Sequence, residues 1–434
     1  MTLSPVLLIG ILALSCLSSN SIFKQQDLAL AQPYVQTIKQ RNLVIDLGNG
    51  VKTNAQLTYP AVGKGPFPGV LLVAGTGPED MNETMDIIHI DNKTGQKTYP
   101  PSQPFFQIAQ YLSERGFAVL RYDKRAIGAN FTVLDSNIWG NATFNDLKQD
   151  AEKALAVLTR QSEVNPNNIT IIGHSEGTMI APRVAIYNPT KVKNIALLGA
   201  VAQNLREILY FQIVNKPLLY AETVLDHNHD GLLSVSEATK NPLFNSIVGN
   251  FTLVLETPTP TANGTSQLNP QYNTNKDAYM SINNELKPKL IERYNSEFFV
   301  TPGKKCTDIG ACPIWLRSHL ALEPTLNIIG NVPPTTSILI QQGQNDSQAP
   351  IQQAFLLQQE LIDKKHPDHT LITYPNLGHA FYPSSEWVTS AAGPMLPYVL
   401  ADLYSWLESH SGFTHIAAPI SSSNVSSSSS PTAR

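Results

Sequence analysis

The chain has 434 residues, of which 42% are apolar and only 15% charged, with a formal net charge of -4. That is enough apolar material for more than one average domain, or for one large domain carrying an insertion. Lysine and arginine are few and scattered, so nothing points to a nucleic-acid-binding surface.

Pro5 to Leu17 is almost purely apolar. At 13 residues it is short for a ~30 Å hydrocarbon layer but matches a signal h-region of about 7–15 residues, and Ala29–Gln32 (ALAQ) offers small residues for cleavage. The expectation is a signal peptide over 1–31 and a secreted or cell-surface protein. An uncleaved anchor tethering the N-terminus to a membrane is the alternative, and Ala13–Cys16 is a poor lipidation site. Asn-x-Ser/Thr sequons at Asn82, Asn92, Asn130, Asn141, Asn168, Asn250, Asn263, Asn345 and Asn424 exceed the about five expected by chance, which favours a glycosylated surface.

The core begins with a hairpin pattern, LVIDLGNGVKTNAQLTYP. Short β-branched runs then predict strands at Gly69–Gly75, Phe117–Tyr122, Ile169–Gly173 and Asn194–Ala200. Helical patterns at Pro104–Arg115, Asp146–Arg160 and Thr178–Tyr187 lie between them. The alternation predicts a mostly parallel α/β sheet flanked by helices. The loop after the first of these strands, AGTGPED, has Gly75 and Gly77 around Thr76. The third strand runs into Gly173-His174-Ser175-Glu176-Gly177.

Gly-x-Ser-x-Gly alone arises by chance in about one such chain in ten, so its context decides. Here it follows a buried strand and precedes a helix, where a nucleophile elbow belongs. Ser175 is the candidate nucleophile. Backbone N–H groups of Thr76 and Glu176 are the candidate oxyanion donors. His174, beside the nucleophile but pointing elsewhere in an elbow, reads as packing or as a support behind the site.

The alternation breaks over residues 204–332, too long a stretch for a loop. We read it as an inserted, mainly helical cap. Within it Asp226, Asn228, Asp230, Gly231 and Glu237 fit D-x-[DN]-x-[DN]-G-x5-E at every position, an event expected about once in a thousand such chains. Side-chain oxygens at Asp226, Asn228 and Asp230, the Leu232 carbonyl, Ser234 and a bidentate Glu237 form an oxygen set suited to Ca²⁺. No second loop of this pattern occurs, so the expectation is a lone structural clip with an affinity of roughly 10⁻⁴–10⁻³ M. Cys306 and Cys312 are expected to form a small-loop disulfide. No organic cofactor is expected.

Strands resume at Ser337–Gly343 and His369–Tyr374, with helices at Ile351–Lys364 and Pro397–Ser409. Asp346 follows the first strand and His379 the second, giving the order Ser, acid, His. Asp363 and Asp368 are rival acids on or after the helix. The core thus occupies 32–203 and 333–410, and 411–434 is a Ser-rich tail without core-forming residues.

The motifs AGTGPED, RYDKRAIG, GHSEGTMIAP, GQND and GHAF resemble those of the α/β-hydrolase superfamily, and most closely its serine esterases and prolyl-peptidase-like hydrolases. The resemblance covers about residues 40–200 and 335–408. It implies nucleophile Ser175, acid Asp346, base His379 and oxyanion amides at Thr76 and Glu176. Departures occur at Ala126, where Arg-Gly is usual, at Met81-Asn82 for Arg-Asp, and at Thr178 for Gly. The expected activity is hydrolysis of a small acyl ester. The alternatives are a serine peptidase holding a substrate amine through Glu176, Glu79 or Glu222, and a Ca²⁺-dependent binding module on an inactive scaffold.

Overall fold

The computed structural model describes residues 37–85, 89–90, 97–98, 102–240, 267–296, 312–384 and 393–412. The signal segment, Cys306, the Ser-rich tail beyond Gly412 and the sequons at Asn92, Asn250, Asn263 and Asn424 lie outside the described residues. Among those described, no helix is long and apolar enough to cross a membrane.

Eight strands form the central sheet: β1 (Ile38–Gly48), β2 (Val51–Pro60), β3 (Phe67–Val73), β4 (Ala118–Tyr122), β5 (Val164–His174), β6 (Val192–Leu198), β7 (Ser337–Gly343) and β8 (His369–Tyr374). Their order is β1-β2-β4-β3-β5-β6-β7-β8. β1 and β2 are the expected antiparallel edge hairpin, β2 pairs antiparallel with β4, and the remaining pairs are parallel. The chain leaves β3 for β4 on one side and returns to β5 on the other. Loops diverge at this switch point, and the crevice it opens is where α/β sheets gather their chemistry.

β3 is buried at every position because both sheet faces are covered. Val70 and Leu72 face the layer of α1 (Pro104–Ser113) and the C-terminal helix Pro397–His410. Leu71 and Val73 face the opposite layer, built from α2 (Phe144–Leu158), α3 (Gly177–Tyr187) and α4 (Gln352–Asp363).

Element boundaries differ from expectation where local chemistry is hidden in the pattern. α2 starts two residues early because Thr143 caps it, its hydroxyl accepting from the Asp146 N–H while Asp146 reaches back to the Thr143 N–H. β5 starts at Val164, before the polar Asn-Pro-Asn-Asn stretch, because Val164 and Asn165 pair with Phe67 and Pro68 ahead of a register shift.

Between β6 and β7 the described chain is mainly helical. A continuous helical run covers Leu205–Leu225 with two π turns, followed by Val235–Lys240, Ile282–Asn295 and Pro313–Leu320. Its apolar residues, among them Leu209, Tyr220, Leu286 and Trp315, are continuous with the core on the α2–α4 face.

Candidate active site

Ser175 stands on the turn between β5 and α3 with φ +51°, a left-handed conformation that L-residues avoid. Its N–H donates to the Leu198 carbonyl at 2.9 Å, tying the turn to β6. The flanking glycines are steric necessities. A Cβ on Gly173 would stand 2.2 Å from the Gly177 carbonyl oxygen, and one on Gly177 would stand 2.0 Å from the Val73 carbonyl oxygen. The strain of the turn is therefore imposed by strand, helix and neighbouring strand together.

His379 and Asp346 follow β8 and β7. The Asp346 Oδ2 atom lies 2.7 Å from His379 Nδ1 and accepts from Gln342 Nε2 at 2.8 Å, while Oδ1 accepts from the N–H groups of Gln348 and Ala349. Both side chains are buried. The rival acids are elsewhere: Asp368 accepts from Ser337 Oγ, and Asp363 closes α4 with Gln359.

The loop after β3 approaches the elbow closely. A Cβ on Gly75 would lie 3.1 Å from Ser175 Cβ and 3.0 Å from Glu83 Oε1, so any larger residue would crowd the elbow. Thr76 is exposed next to it. Among the described residues, neither the Thr76 nor the Glu176 N–H enters a hydrogen bond.

Three partners of this arrangement escape sequence reading. Glu83 accepts from the Gly75 N–H at 2.7 Å and lies 2.9 Å from His174 Nδ1, while His174 Nε2 lies 3.1 Å from the His379 carbonyl. Burial opposes a charge on His174, but Glu83 outweighs it and holds the pKa up at about 9. His174 therefore links the β3 loop to the His379 loop as an imidazolium. Gly199, with φ +62°, leaves room for the His379 ring, since a Cβ there would stand 2.9 Å from His379 Cε1.

The third partner set surrounds the Glu176 side chain. Lys124 Nζ lies 2.6 Å from Oε2 and also donates to the Gly75 carbonyl. Trp315 Nε1 donates to Oε1 at 2.6 Å, and His319 Nε2 lies 2.8 Å from the same oxygen without the alignment of a hydrogen bond. Burial alone would raise this carboxyl; Lys124 and His319 outweigh it and hold the pKa at about 2. The Tyr122–Arg125 motif thus orders loops: Asp123 accepts from the Met81 N–H, and Arg125 grips Asp150 with two bonds of 2.8 Å.

The departures from the family motifs find local roles. Thr178 Oγ1 donates to the Ser175 carbonyl and accepts from the Val201 N–H, clamping the elbow to the start of the insertion. Asn82 accepts from Arg121. Ala126 adopts φ +57°, where glycine is at ease. Of the five sequons described, Asn168 and Asn345 have their amide nitrogens bonded to the Ser411 and Ser384 carbonyls, whereas Asn130 and Asn141 are exposed.

The oxygen-rich loop forms a tight turn with Gly231 at φ +78°. Asp226 accepts from the N–H groups of Asp230 and Gly231, Asp230 from Leu232, and Glu237 from Ser234. Among the described residues no group of three or more His, Cys, Asp or Glu side chains stands at metal-holding distance, since these carboxylates are turned onto backbone amides. Leu232–Ser234 pairs antiparallel with Tyr279–Ser281, a pairing the sequence pattern does not announce. Cys312 is buried at the N-cap of Pro313–Leu320.

A mostly parallel eight-stranded sheet flanked by helices, with a left-handed serine after β5 and an Asp–His pair after β7 and β8, is the arrangement on which the comparisons bear. Residues 99–385 match the alpha/beta hydrolase fold family, and the chain belongs to it. Esterase EstD of Thermotoga maritima is 30% identical over 158 residues, which is 36% of this chain and 32% of EstD, so the match spans about a third of that relative's length. Among solved structures, a proline iminopeptidase of Mycobacterium smegmatis covers 86% of this chain and 99% of its own at 15% identity and a TM-score of 0.48. Est1E of Butyrivibrio proteoclasticus covers 86% of this chain and 99% of its own at 12% identity and a TM-score of 0.43.

Proposed function

We propose that this chain is an exported serine hydrolase that cleaves small acyl esters through an acyl-serine intermediate. The reading is supported by a left-handed Ser175 at the end of β5 and by an Asp346–His379 pair following β7 and β8, whose oxygen and nitrogen are 2.7 Å apart. A serine hydroxyl needs a base to become nucleophilic. His379 takes the Ser175 proton as Oγ attacks the ester carbonyl carbon. Asp346 fixes the imidazole tautomer and stabilises its charged form. The tetrahedral oxyanion receives hydrogen bonds from the Thr76 and Glu176 N–H groups, each such donor contributing about 3–4 kcal/mol in comparable sites. His379 then protonates the leaving alcohol oxygen. A water deprotonated by His379 attacks the acyl-serine, releasing the acid and regenerating Ser175.

Ester hydrolysis is favoured over peptidase action on free amines by the state of the candidate carboxylates. Glu176 is already paired with Lys124 and bonded to Trp315. Burial and the neighbouring Glu83 push Glu79 up to about 8, so it carries little charge at neutral pH. Glu222 is exposed on the insertion, in a cleft lined by Arg206, Tyr210 and Lys287. The name of EstD agrees with this choice. The apolar stretch Pro5–Leu17 supports export, the sequons a glycosylated surface, and the Cys306–Cys312 spacing a disulfide. The Asp226–Glu237 loop is a structural Ca²⁺ clip that steadies the insertion.

The deciding experiment is fluorophosphonate labelling of the parent and of Ser175→Ala, with short p-nitrophenyl esters and peptide anilides as substrates. Labelling of the parent alone, with ester turnover exceeding anilide turnover, is expected. Anilide turnover above ester turnover transfers the assignment to the peptidase. A parent that neither labels nor turns over leaves the binding module.

A further inference from the structure

We propose that the segment Asn273–Glu285 is a second divalent-cation site, paired with the Asp226–Glu237 loop across the two-stranded ribbon to form a two-site calcium lobe. The inference extends the calcium reading from one loop to two and is independent of the esterase reading.

The ribbon fixes the register. Leu232, Leu233 and Ser234 pair with Ser281, Met280 and Tyr279. Leu233 is the eighth residue of its loop, so its partner Met280 makes Asn273 the first residue of the other. Counting from there, the two segments correspond. His229 and Lys276, each fourth, have φ +57° and +59°. Asn228 donates to Asp230 at 2.9 Å, and Asn275 donates to Asp277 at 2.8 Å. The Leu232 and Tyr279 N–H groups donate to Asp230 and Asp277, both at 2.8 Å. Glu237 accepts from the Ser234 N–H, and Glu285 from the Ser281 N–H, both at 2.9 Å.

Two departures explain why the pattern hides the second loop. Ala278 stands where the consensus has glycine. Glu285 comes one residue later than Glu237 does in its loop, after Ser281 rather than Ser234. A single π turn at Ile282–Leu286 accommodates one extra residue, and it returns the Glu285 carboxylate to its loop.

Turn geometry alone makes no site. The observation that points to a ligand is Asn273, the first residue of the second loop. It is 4% exposed, and its Oδ1 atom is buried with no hydrogen-bond partner. The other end of the same amide donates to the Asp277 carbonyl at 2.9 Å, so the group lies across the loop interior. The equivalent Asp226 oxygens in the first loop each accept backbone N–H groups. An orphaned buried oxygen costs about 1–3 kcal/mol, and a bound cation supplies its missing partner. The groups around it are all oxygens: Asn273, Asn275, Asp277, the Tyr279 carbonyl, Ser281 and Glu285, of which Glu285 Oε1 also accepts from the Thr274 and Asn275 N–H groups and Asn275 Oδ1 from the Asp277 N–H. A hard divalent cation of the Ca²⁺ type suits them, more weakly than in the first loop because two carboxylates replace three.

The test is equilibrium dialysis of the full chain against radioactive Ca²⁺, with far-UV circular dichroism of each variant. The parent is expected to bind two Ca²⁺, and Glu237→Gln and Glu285→Gln one each. Asp277→Asn, nearly isosteric, is expected to weaken one site at least tenfold if Glu285→Gln folds poorly. A parent that binds one Ca²⁺, kept in Glu285→Gln and Asp277→Asn but lost in Glu237→Gln, overturns the second site while sparing the first. A parent that binds none removes both.

Discussion

The Trp315 indole donates a 2.6 Å hydrogen bond to the carboxylate of Glu176, the residue after the candidate nucleophile, across 139 positions of sequence. Through it the helix Pro313–Leu320 of the insertion is fastened to the turn that holds Ser175. Trp315→Phe keeps an aromatic ring of smaller size and removes the donor, leaving a buried carboxylate with one partner fewer. The expected cost is about 1–3 kcal/mol in urea unfolding. Because the Glu176 N–H is an oxyanion donor in our reading, ester kcat should also fall about tenfold. Unchanged stability and turnover would show that the insertion does not steady the elbow.

Gly199→Ala tests the seat of the base. The added Cβ would stand 2.9 Å from His379 Cε1, at a backbone φ of +62°. The ring must move, and a misplacement of about 1 Å in a catalytic group costs on the order of 100-fold in rate. The prediction is a kcat about 100-fold lower with KM little changed, and a fold still cooperative in thermal melting. A KM effect without a kcat effect would mean that Gly199 shapes substrate binding instead.

The Asp346–His379 contact and the strand–turn–helix around Ser175 were legible because their signals are local in sequence. Each of the three candidates follows an apolar run that ends a strand, and strands running in parallel bring such ends to one edge of the sheet. Glu83, Lys124, Trp315 and Gly199 were not legible as partners. Their roles depend on loops meeting over distances that no periodicity encodes, and Trp315 comes from the insertion. The pairing of Leu232–Ser234 with Tyr279–Ser281 was hidden for a sharper reason, since one extra residue absorbed by the π turn at Ile282–Leu286 breaks a spacing pattern without breaking the shape.

Ala126→Gly should stabilise the protein. Ala126 is held at φ +57°, which costs an L-residue about 1–2 kcal/mol, while glycine loses roughly 0.5–1 kcal/mol through its freer unfolded chain. The net gain is about 0.5–1 kcal/mol, read as a rise in melting temperature of about 1–2 °C. A lower melting temperature would mean that packing of the buried methyl outweighs the backbone strain.

The His174–Glu83 pair predicts a pH dependence of stability. The folded pKa of His174 is raised to about 9 from 6.5. A raised histidine stabilises fully below its unfolded pKa, and the contribution is lost as pH climbs from about 6.5 through 9. The size is on the order of 3 kcal/mol. Glu83→Gln should be least stable relative to the parent near pH 6 and approach it above pH 9.5 in urea titrations. A difference independent of pH would assign Glu83 a purely hydrogen-bonding role at the Gly75 N–H.

Lys216 carries the opposite sign. It lies in the insertion, 8% exposed, and burial pulls its pKa down to about 8 although the Asp346 charge opposes the fall. Below pH 8 the folded protein holds a poorly solvated ammonium. The unfolded chain keeps its proton until about 10.5, so the destabilisation is relieved as pH rises from 8 to 10.5. Lys216→Met should therefore be more stable than the parent at pH 7, by roughly 1–3 kcal/mol, with the gap closing near pH 10.5. If the gap closes while ester turnover at pH 7 also drops, the ammonium beside Asp346 contributes to the charge balance of the Asp–His pair and its burial has a catalytic purpose. If turnover is unchanged, Lys216 fills the insertion's base at a cost in stability alone.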